Sequence, residues 1–490
     1  MYIAAMIALG DVATHAPLPR IHPTEPSQAE CAVRDSKLQL LACSSQASPV
    51  VSTSAVVGGT GLVLVSALLR ANRGRRRAKR GGNSISCIVR QNAVANTNDL
   101  VQDAEKCLLN NYGKRSMVFT RGEGHYLFDT DGKKFLDFTA GIAVNCLGHS
   151  DPGWAEAVSK QAHTLTHTSN LWLNPEQIRL GEKLTRLSFA DKAFFCNSGT
   201  EANEAAIKFA RKFHVAAGKP REGFIAFENA FHGRTMGALA LTWKENYKAP
   251  FQPLMPSVSF LPFNSTAELQ SVDETTCAVF VEPMQGEGGV VPGTTEFLTA
   301  LRKRCDEVGA LLVFDEVQCG LGRTGHLFAN EISGVEPDIM TLAKPLAGGL
   351  PIGAVLMREK VAEAIAPGDH GSTFAGAPLV CAAANHTLDR VSQEAFLANV
   401  REMGERLRAG LRRLAEPLGL DVRGEGLLNG VVFEDAKACG AVQRAAQEQG
   451  LLVLTAGAGN VLRIAPALTV GAEEVDAALQ LLEAAFEAAS

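Results

Sequence analysis

Asp338-Ile-Met-Thr-Leu-Ala-Lys344-Pro-Leu-Ala-Gly-Gly-Leu-Pro-Ile-Gly-Ala354 is the stretch around which the chain is organised. An apolar strand, residues 339–343, runs into a lysine and a turn rich in Gly and Pro, and a second apolar strand follows from Gly353. A lysine at the end of a core strand loses water before it gains a partner, so desolvation disfavours its charged form and leaves a usable nucleophile. Taken alone, Lys344 fits a strand-end lysine that snorkels to solvent equally well. The decisive partner lies 29 residues upstream, where Ala310-Leu-Leu-Val-Phe-Asp315-Glu-Val-Gln318 ends another apolar strand in an aspartate. An Asp and a Lys on neighbouring strand ends, as Asp315 and Lys344 would be, can reach the two ends of one pyridine ring. The carboxylate keeps the ring nitrogen protonated while the amine condenses with an aldehyde, as a Schiff base with pyridoxal phosphate requires.

Outward from these two strands the pattern is strand, turn, helix, repeated. Strands are expected at 193–197, 223–228, 258–261, 278–282, 311–315, 339–343 and 354–357, with a capped helix opening at Ser198. Seven strands with intervening helices predict an α/β fold: an open, mainly parallel sheet covered on both faces. Ligands bind such sheets at the carboxyl ends of the strands, where Ser198, Glu282, Asp315 and Lys344 all fall. Upstream, residues 122–138 alternate around Asp131-Gly132 as a hairpin, and 140–149 form a Gly-interrupted loop suited to line a pocket. Helices are expected at 154–165 and 175–186. Past Pro378 come an Ala/Leu/Arg-rich helix, strands at 430–434, 451–455 and 461–464, and a terminal helix from Ala472, a smaller α+β domain. The expected division is a leader (1–95), an N-terminal segment joining the small domain (96–150), a large domain (151–377) and the small domain (378–490).

The 490 residues allow about three domains, and 46% hydrophobic content is ample for a core. Charge is unevenly divided. Residues 1–98 hold 11 Lys/Arg against 4 Asp/Glu, a net of +7; the whole chain is −5, which leaves −12 for 99–490. Residues 38–69 are uncharged, and Arg70-Ala-Asn-Arg-Gly-Arg-Arg-Arg-Ala-Lys-Arg80 follows. A basic, acid-poor leader rich in Ser and Ala is the pattern of targeting to a plastid or a mitochondrion. A membrane anchor is disfavoured by the Gly, Ser and Thr in the apolar run, and nucleic-acid binding by the acidic body. Eleven cysteines without a CxxC pair suggest neither a disulfide framework nor a zinc site, and fit a reducing compartment.

Ser198-Gly199-Thr200 brings backbone N–H groups, two hydroxyls and a helix N-terminus to one place, as a phosphate requires, although an ordinary capped helix reads the same way. In Glu228-Asn-Ala-Phe231-His-Gly-Arg234, Phe231 suits stacking on a planar ring or core packing. Arg234 suits clamping a carboxylate or a surface ion pair.

These motifs recur in order with others: Ala140-Gly-Ile-Ala-Val-Asn145, Asn197-Ser-Gly-Thr-Glu-Ala-Asn-Glu204, Val281-Glu-Pro-Met-Gln-Gly-Glu-Gly-Gly289, Val313-Phe-Asp-Glu-Val-Gln-Cys-Gly-Leu-Gly-Arg-Thr-Gly325 and His370-Gly-Ser-Thr-Phe374. Together they resemble the class III pyridoxal-phosphate-dependent aminotransferases of fold type I, nearest to the acetylornithine branch. Asp151 replaces a histidine usual in that family, and Ala347 a glycine, both in loops. The resemblance implies that Lys344 holds pyridoxal 5′-phosphate and carries the proton, with Asp315 on the pyridinium nitrogen. Val317 and Phe231 would sandwich the ring, Gln318 reach its phenolic oxygen, Glu282 bind the cofactor too, and Ser198, Gly199 and Thr200 hold the phosphate. Thr373 would reach the neighbouring subunit's phosphate, making the active unit a homodimer.

Arg234 and Arg463 would bind substrate carboxylates. The implied reaction takes the terminal amine of N2-acetyl-L-ornithine and passes it to 2-oxoglutarate, giving glutamate. One donor offers a CH2 beside its amine and the other a carboxylate, so Glu287 would cover Arg463 in one half-reaction and release it in the other; a plain loop carboxylate is the alternative. Ornithine-specific relatives meet a free α-amine with tyrosine in the stretch corresponding to residues 141–144. Here Ile142 and Val144 suit an uncharged acetamido group. Ornithine, succinylornithine and 4-aminobutyrate remain alternative donors. A cofactor-free interaction protein on this fold is disfavoured by the retained lysine, aspartate and phosphate turn.

Overall fold

Four apolar runs of the chain, Thr276–Val281, Leu311–Asp315, Ile339–Leu342 and Gly353–Met357, are buried along their whole length, and they form the centre of a seven-stranded sheet. The computed structural model describes residues 96–489, so the readings of the leader lie outside it. The strand order is Lys192–Cys196, Gly353–Met357, Ile339–Leu342, Leu311–Asp315, Thr276–Val281, Gly223–Phe227, Val258–Leu261. Gly353–Met357 alone is reversed, antiparallel to both neighbours, and the sheet is otherwise parallel. This is the seven-stranded, mainly parallel α/β sheet the sequence predicts.

Both faces are covered, which is why these strands read as continuous apolar runs and not as alternating ones. On one face the helix Gly199–Ala216 packs Ala202, Ala205, Ala206, Phe209 and Ala210 against Phe280, Leu311, Val313 and Val355. On the other, the helix Thr295–Val308 sets Phe297, Leu301 and Cys305 on Val279, Leu312 and Phe314. Each large apolar side chain so buried contributes about 1.5–3 kcal/mol before entropy is charged.

Four other strands, Asp421–Glu425, Leu428–Val432, Val461–Ile464 and Leu454–Ala456, pair antiparallel in that order. A third sheet joins Phe119–Glu123, Tyr126–Asp129 and Lys134–Asp137 to Leu451–Leu452 from far along the chain. The run expected as one strand at 451–455 is therefore two, since its halves bond to different sheets on either side of Val453. Residues 140–143, expected as loop, form one turn in which Ala140, Gly141, Ile142 and Ala143 all have positive φ, 45–67°. Three of the four bear side chains, and such strain persists only where surrounding contacts impose it. Asp137 supplies some, its Oδ1 accepting from the N–H groups of Thr139 (2.9 Å) and Ala140 (3.1 Å).

Candidate active site

The register of the two central strands pairs Asp315 with Thr341, three residues before Lys344, so both chemical groups emerge at one sheet edge. There they line a cavity of about 370 Å³ together with Ser198, Gly199, Thr200, Phe231, Arg234, Glu282, Glu287, Val317, Gln318 and Val144. Burial lowers the pKa of Lys344, against the opposing pull of the Glu287 carboxylate. Asp315 is 3% exposed and surrounded by donors. Its Oδ2 accepts from Asn203 Nδ2 (2.7 Å) and His232 Nδ1 (2.8 Å), and its Oδ1 from the Val317 N–H (3.0 Å). Burial works against a charged His232, but the hydrogen bond and charge of Asp315 outweigh it and raise the imidazole pKa. Asn203 is oriented in turn by Thr341 Oγ1, which donates to its Oδ1 (2.9 Å).

The sequence reading did not single out Asn203 or His232. Both stand inside motifs already quoted, and for Asn203 the available signal was a polar residue within the buried stripe of the helix Gly199–Ala216. Glu282 is also buried; its Oε2 accepts from the Phe231 N–H (3.1 Å), and burial with the nearby Asp315 charge pushes its pKa up to about 7.

At the helix start, Ser198 and Glu201 form a reciprocal cap. Ser198 Oγ accepts from the Glu201 N–H (3.3 Å) and donates to Glu201 Oε2 (3.0 Å). Thr200 Oγ1 accepts from the N–H groups of Arg234 and Thr235, both 3.2 Å, tying the two loops together. A Cβ on Gly199 would lie 2.6 Å from Val317 Cγ1, so only glycine lets the helix terminus approach that side chain. A buried amine, a carboxyl fixed by three donors and a helix N-terminus on one cavity fit pyridoxal phosphate at its aldehyde, ring nitrogen and phosphate.

Arg463, 4% exposed, lies behind the cavity wall and donates from Nη1 to Glu287 Oε1 (2.5 Å) and Gln318 Oε1 (3.2 Å). Burial would raise the Glu287 pKa, but the Arg463 charge outweighs it and holds the carboxyl below its usual range. The Gln318 amide is thus engaged with Arg463 and with Glu287 (3.4 Å). Besides Arg463, two expected residues do not line the cavity: Ile142 is 46% exposed, and Thr373 is exposed beside Ser372, whose Oγ accepts from Asn197 Nδ2 (2.9 Å).

Residues 109–486 match the family model described as aminotransferase class-III. The chain is 53% identical over 395 residues to the mitochondrial acetylornithine aminotransferase of Alnus glutinosa, covering 78% of this chain and 86% of that one. Among solved structures it resembles N-acetylornithine aminotransferase from Stenotrophomonas maltophilia K279a, at 39% identity and TM-score 0.68 over 77% of this chain and 98% of that one. It also resembles ornithine aminotransferase from Toxoplasma gondii, at 31% identity and TM-score 0.77 over 81% and 95%.

Proposed function

Because the chain belongs to the class III aminotransferases, which are pyridoxal-phosphate-dependent transaminases, we propose that it transfers the terminal amino group of N2-acetyl-L-ornithine to 2-oxoglutarate. The products are N-acetylglutamate 5-semialdehyde and L-glutamate, a step of arginine biosynthesis. The observation that carries this reading is the Arg463–Glu287 pair at the cavity wall. A buried arginine whose one acid partner among the described residues can be displaced by an incoming carboxylate suits one site that alternates between two unlike donors.

The cofactor's phosphate would lie at Ser198–Thr200, its ring between Val317 and Phe231, and its ring nitrogen at Asp315. When bound it supplies an aldehyde for the amine and a protonated ring that withdraws electrons from the adjacent carbon. Lys344 Nζ, its basicity adjusted by burial, takes the proton from the donor carbon that bears the amine and returns it on the other side of the transfer. Asn203 and His232 keep the Asp315 carboxyl aimed at the ring-nitrogen position. With acetylornithine, Glu287 stays on Arg463, Arg234 takes the distant α-carboxylate, and Val144 offers an apolar wall to the acetamido group. With 2-oxoglutarate, the carboxylate beside the reacting carbon takes Arg463 from Glu287, and the far carboxylate takes Arg234.

The working unit proposed is a homodimer, supported by the exposed apolar run Leu171 (82%), Trp172 (65%), Leu173 (82%) and by Phe374 (65%) next to Thr373. An organellar matrix is the proposed location, supported by the basic leader and by the mitochondrial designation of the alder relative.

The test is a donor panel with 2-oxoglutarate as acceptor, read as glutamate formed from acetylornithine, succinylornithine, ornithine and 4-aminobutyrate. Acetylornithine is expected to exceed ornithine in kcat/KM by about tenfold or more, because the Val144 side chain offers a charged α-amine no hydrogen-bond partner. Ornithine as the better donor would overturn the assignment.

A further inference from the structure

The two arginines of the site are restrained in different ways. Arg463 is held by an acid, Glu287. Arg234 has no carboxylate partner and no side-chain hydrogen bond among the described residues. Its guanidinium carbon lies 3.6 Å from the centre of the Tyr247 ring and 5.6 Å from that of Phe231. At the shorter distance the guanidinium touches the ring face. A cation held by a ring face keeps its in-plane N–H edges free for a carboxylate, whereas an acid partner would occupy them.

The ring is carried on a scaffold independent of Arg234. Tyr247 sits on the short helix Glu245–Lys248, whose Lys248 ammonium lies over Phe260 at 4.5 Å and pairs with Glu245. Just before that helix, the Trp243 N–H donates to Ala230 O (2.9 Å), one residue from Phe231, and its ring meets Phe260 edge-on at 5.2 Å. The Lys244 ammonium lies 5.6 Å from the same Tyr247 ring. Arg234 itself is anchored at its N–H to Thr200 Oγ1.

This division matches what two half-reactions demand, and it rests on the acetylornithine reading above. Acetylornithine and 2-oxoglutarate both carry a carboxylate far from the reacting carbon, so the arginine at that end must be open in both steps. Only the arginine beside the reacting carbon needs a cover. We propose that Tyr247 is a positioning residue that sets donor specificity: its ring face fixes the Arg234 guanidinium for the distant carboxylate without competing for it.

The experiment compares holoenzyme of wild type, Tyr247→Leu and Tyr247→Phe in the donor half-reaction. The two donors are N2-acetylornithine and N-acetyl-1,4-diaminobutane, which has the same amine and acetamide but no carboxylate. Tyr247→Leu is expected to raise KM for acetylornithine by roughly tenfold, the scale of a partly desolvated cation–π contact, with kcat little changed. The diaminobutane donor should be unaffected, and Tyr247→Phe, which keeps the ring, should behave as wild type. If Tyr247→Leu loses equally on both donors, or on neither, while the wild type still prefers acetylornithine, the proposal for Tyr247 is overturned and the Arg234 reading stands. A wild type indifferent to the carboxylate overturns both.

Discussion

Glu287 and Arg463 show how much a single contact decides. A buried guanidinium stripped of its acid is costly, so in the proposed exchange each incoming carboxylate replaces the one it displaces. Glu287→Ala removes the cover permanently. The ratio of kcat/KM for glutamate over acetylornithine, measured in separate half-reactions, is then expected to rise about tenfold or more, ~1.4 kcal/mol. Equal losses on both donors would make Glu287 a structural carboxylate. The pair also has a defined pH window. The carboxyl of Glu287 in the folded protein sits below its usual value of about 4.3, so the stability it contributes is present above that value and lost only as pH falls through the lower folded one. Between about pH 6 and 8 Glu287 should accordingly add no change to the donor ratio, and any drift from Glu282, whose carboxyl is pushed up to about 7, should persist in Glu287→Ala; a tenfold drift that Glu287→Ala abolishes would mean that Glu287 titrates in place.

At the scale of one element, the helix Gly199–Ala216 serves two purposes. Its alanine-rich stripe packs the sheet, and its first turn faces the cavity. The second purpose requires a glycine where the first would accept alanine, because of Val317. Gly199→Ala places a methyl 2.6 Å from Val317 Cγ1, and relieving such an overlap costs about 1–3 kcal/mol. Since the strain falls where the proposed phosphate turn and the proposed ring position at Val317 meet, cofactor affinity is expected to drop roughly tenfold, with the fold intact by circular dichroism. Titration of apo-enzyme with pyridoxal phosphate, followed near ~420 nm, reads this directly; an unchanged Kd would show that Val317 yields without cost. Most of this element is legible in sequence. The cap at Ser198, the apolar period and the Gly-Thr turn are all local signals, and the observed helix runs five residues past the motif that predicted its core, residues 198–211.

For the whole molecule, the proposed homodimer needs an apolar surface that a second copy can cover. Leu171 and Leu173 are each 82% exposed, a state that isolated apolar side chains tolerate but a contiguous run seldom does without a surface to cover it. The double substitution Leu171→Glu/Leu173→Glu is expected to yield monomers by light scattering and to loosen cofactor binding, since Thr373 of one subunit is proposed to serve the other. A variant that stays dimeric would move the interface elsewhere.

What the sequence determined by itself is what short-range physics controls. Apolar runs bounded by Gly and Pro set the seven strands of the main sheet, and strand ends set the positions of Asp315 and Lys344, because such patterns span only a few neighbours. Contacts between distant residues were decided by the tertiary structure alone. Asn203 and His232 reach Asp315 across 112 and 83 residues, and Arg463 meets Gln318 across 145. The split at Val453 and the left-handed turn that leaves Ile142 exposed while Val144 enters the cavity are likewise imposed from outside their own segments. No local period carries that information: a hydrogen bond between remote elements exists only once packing has fixed where both of them lie.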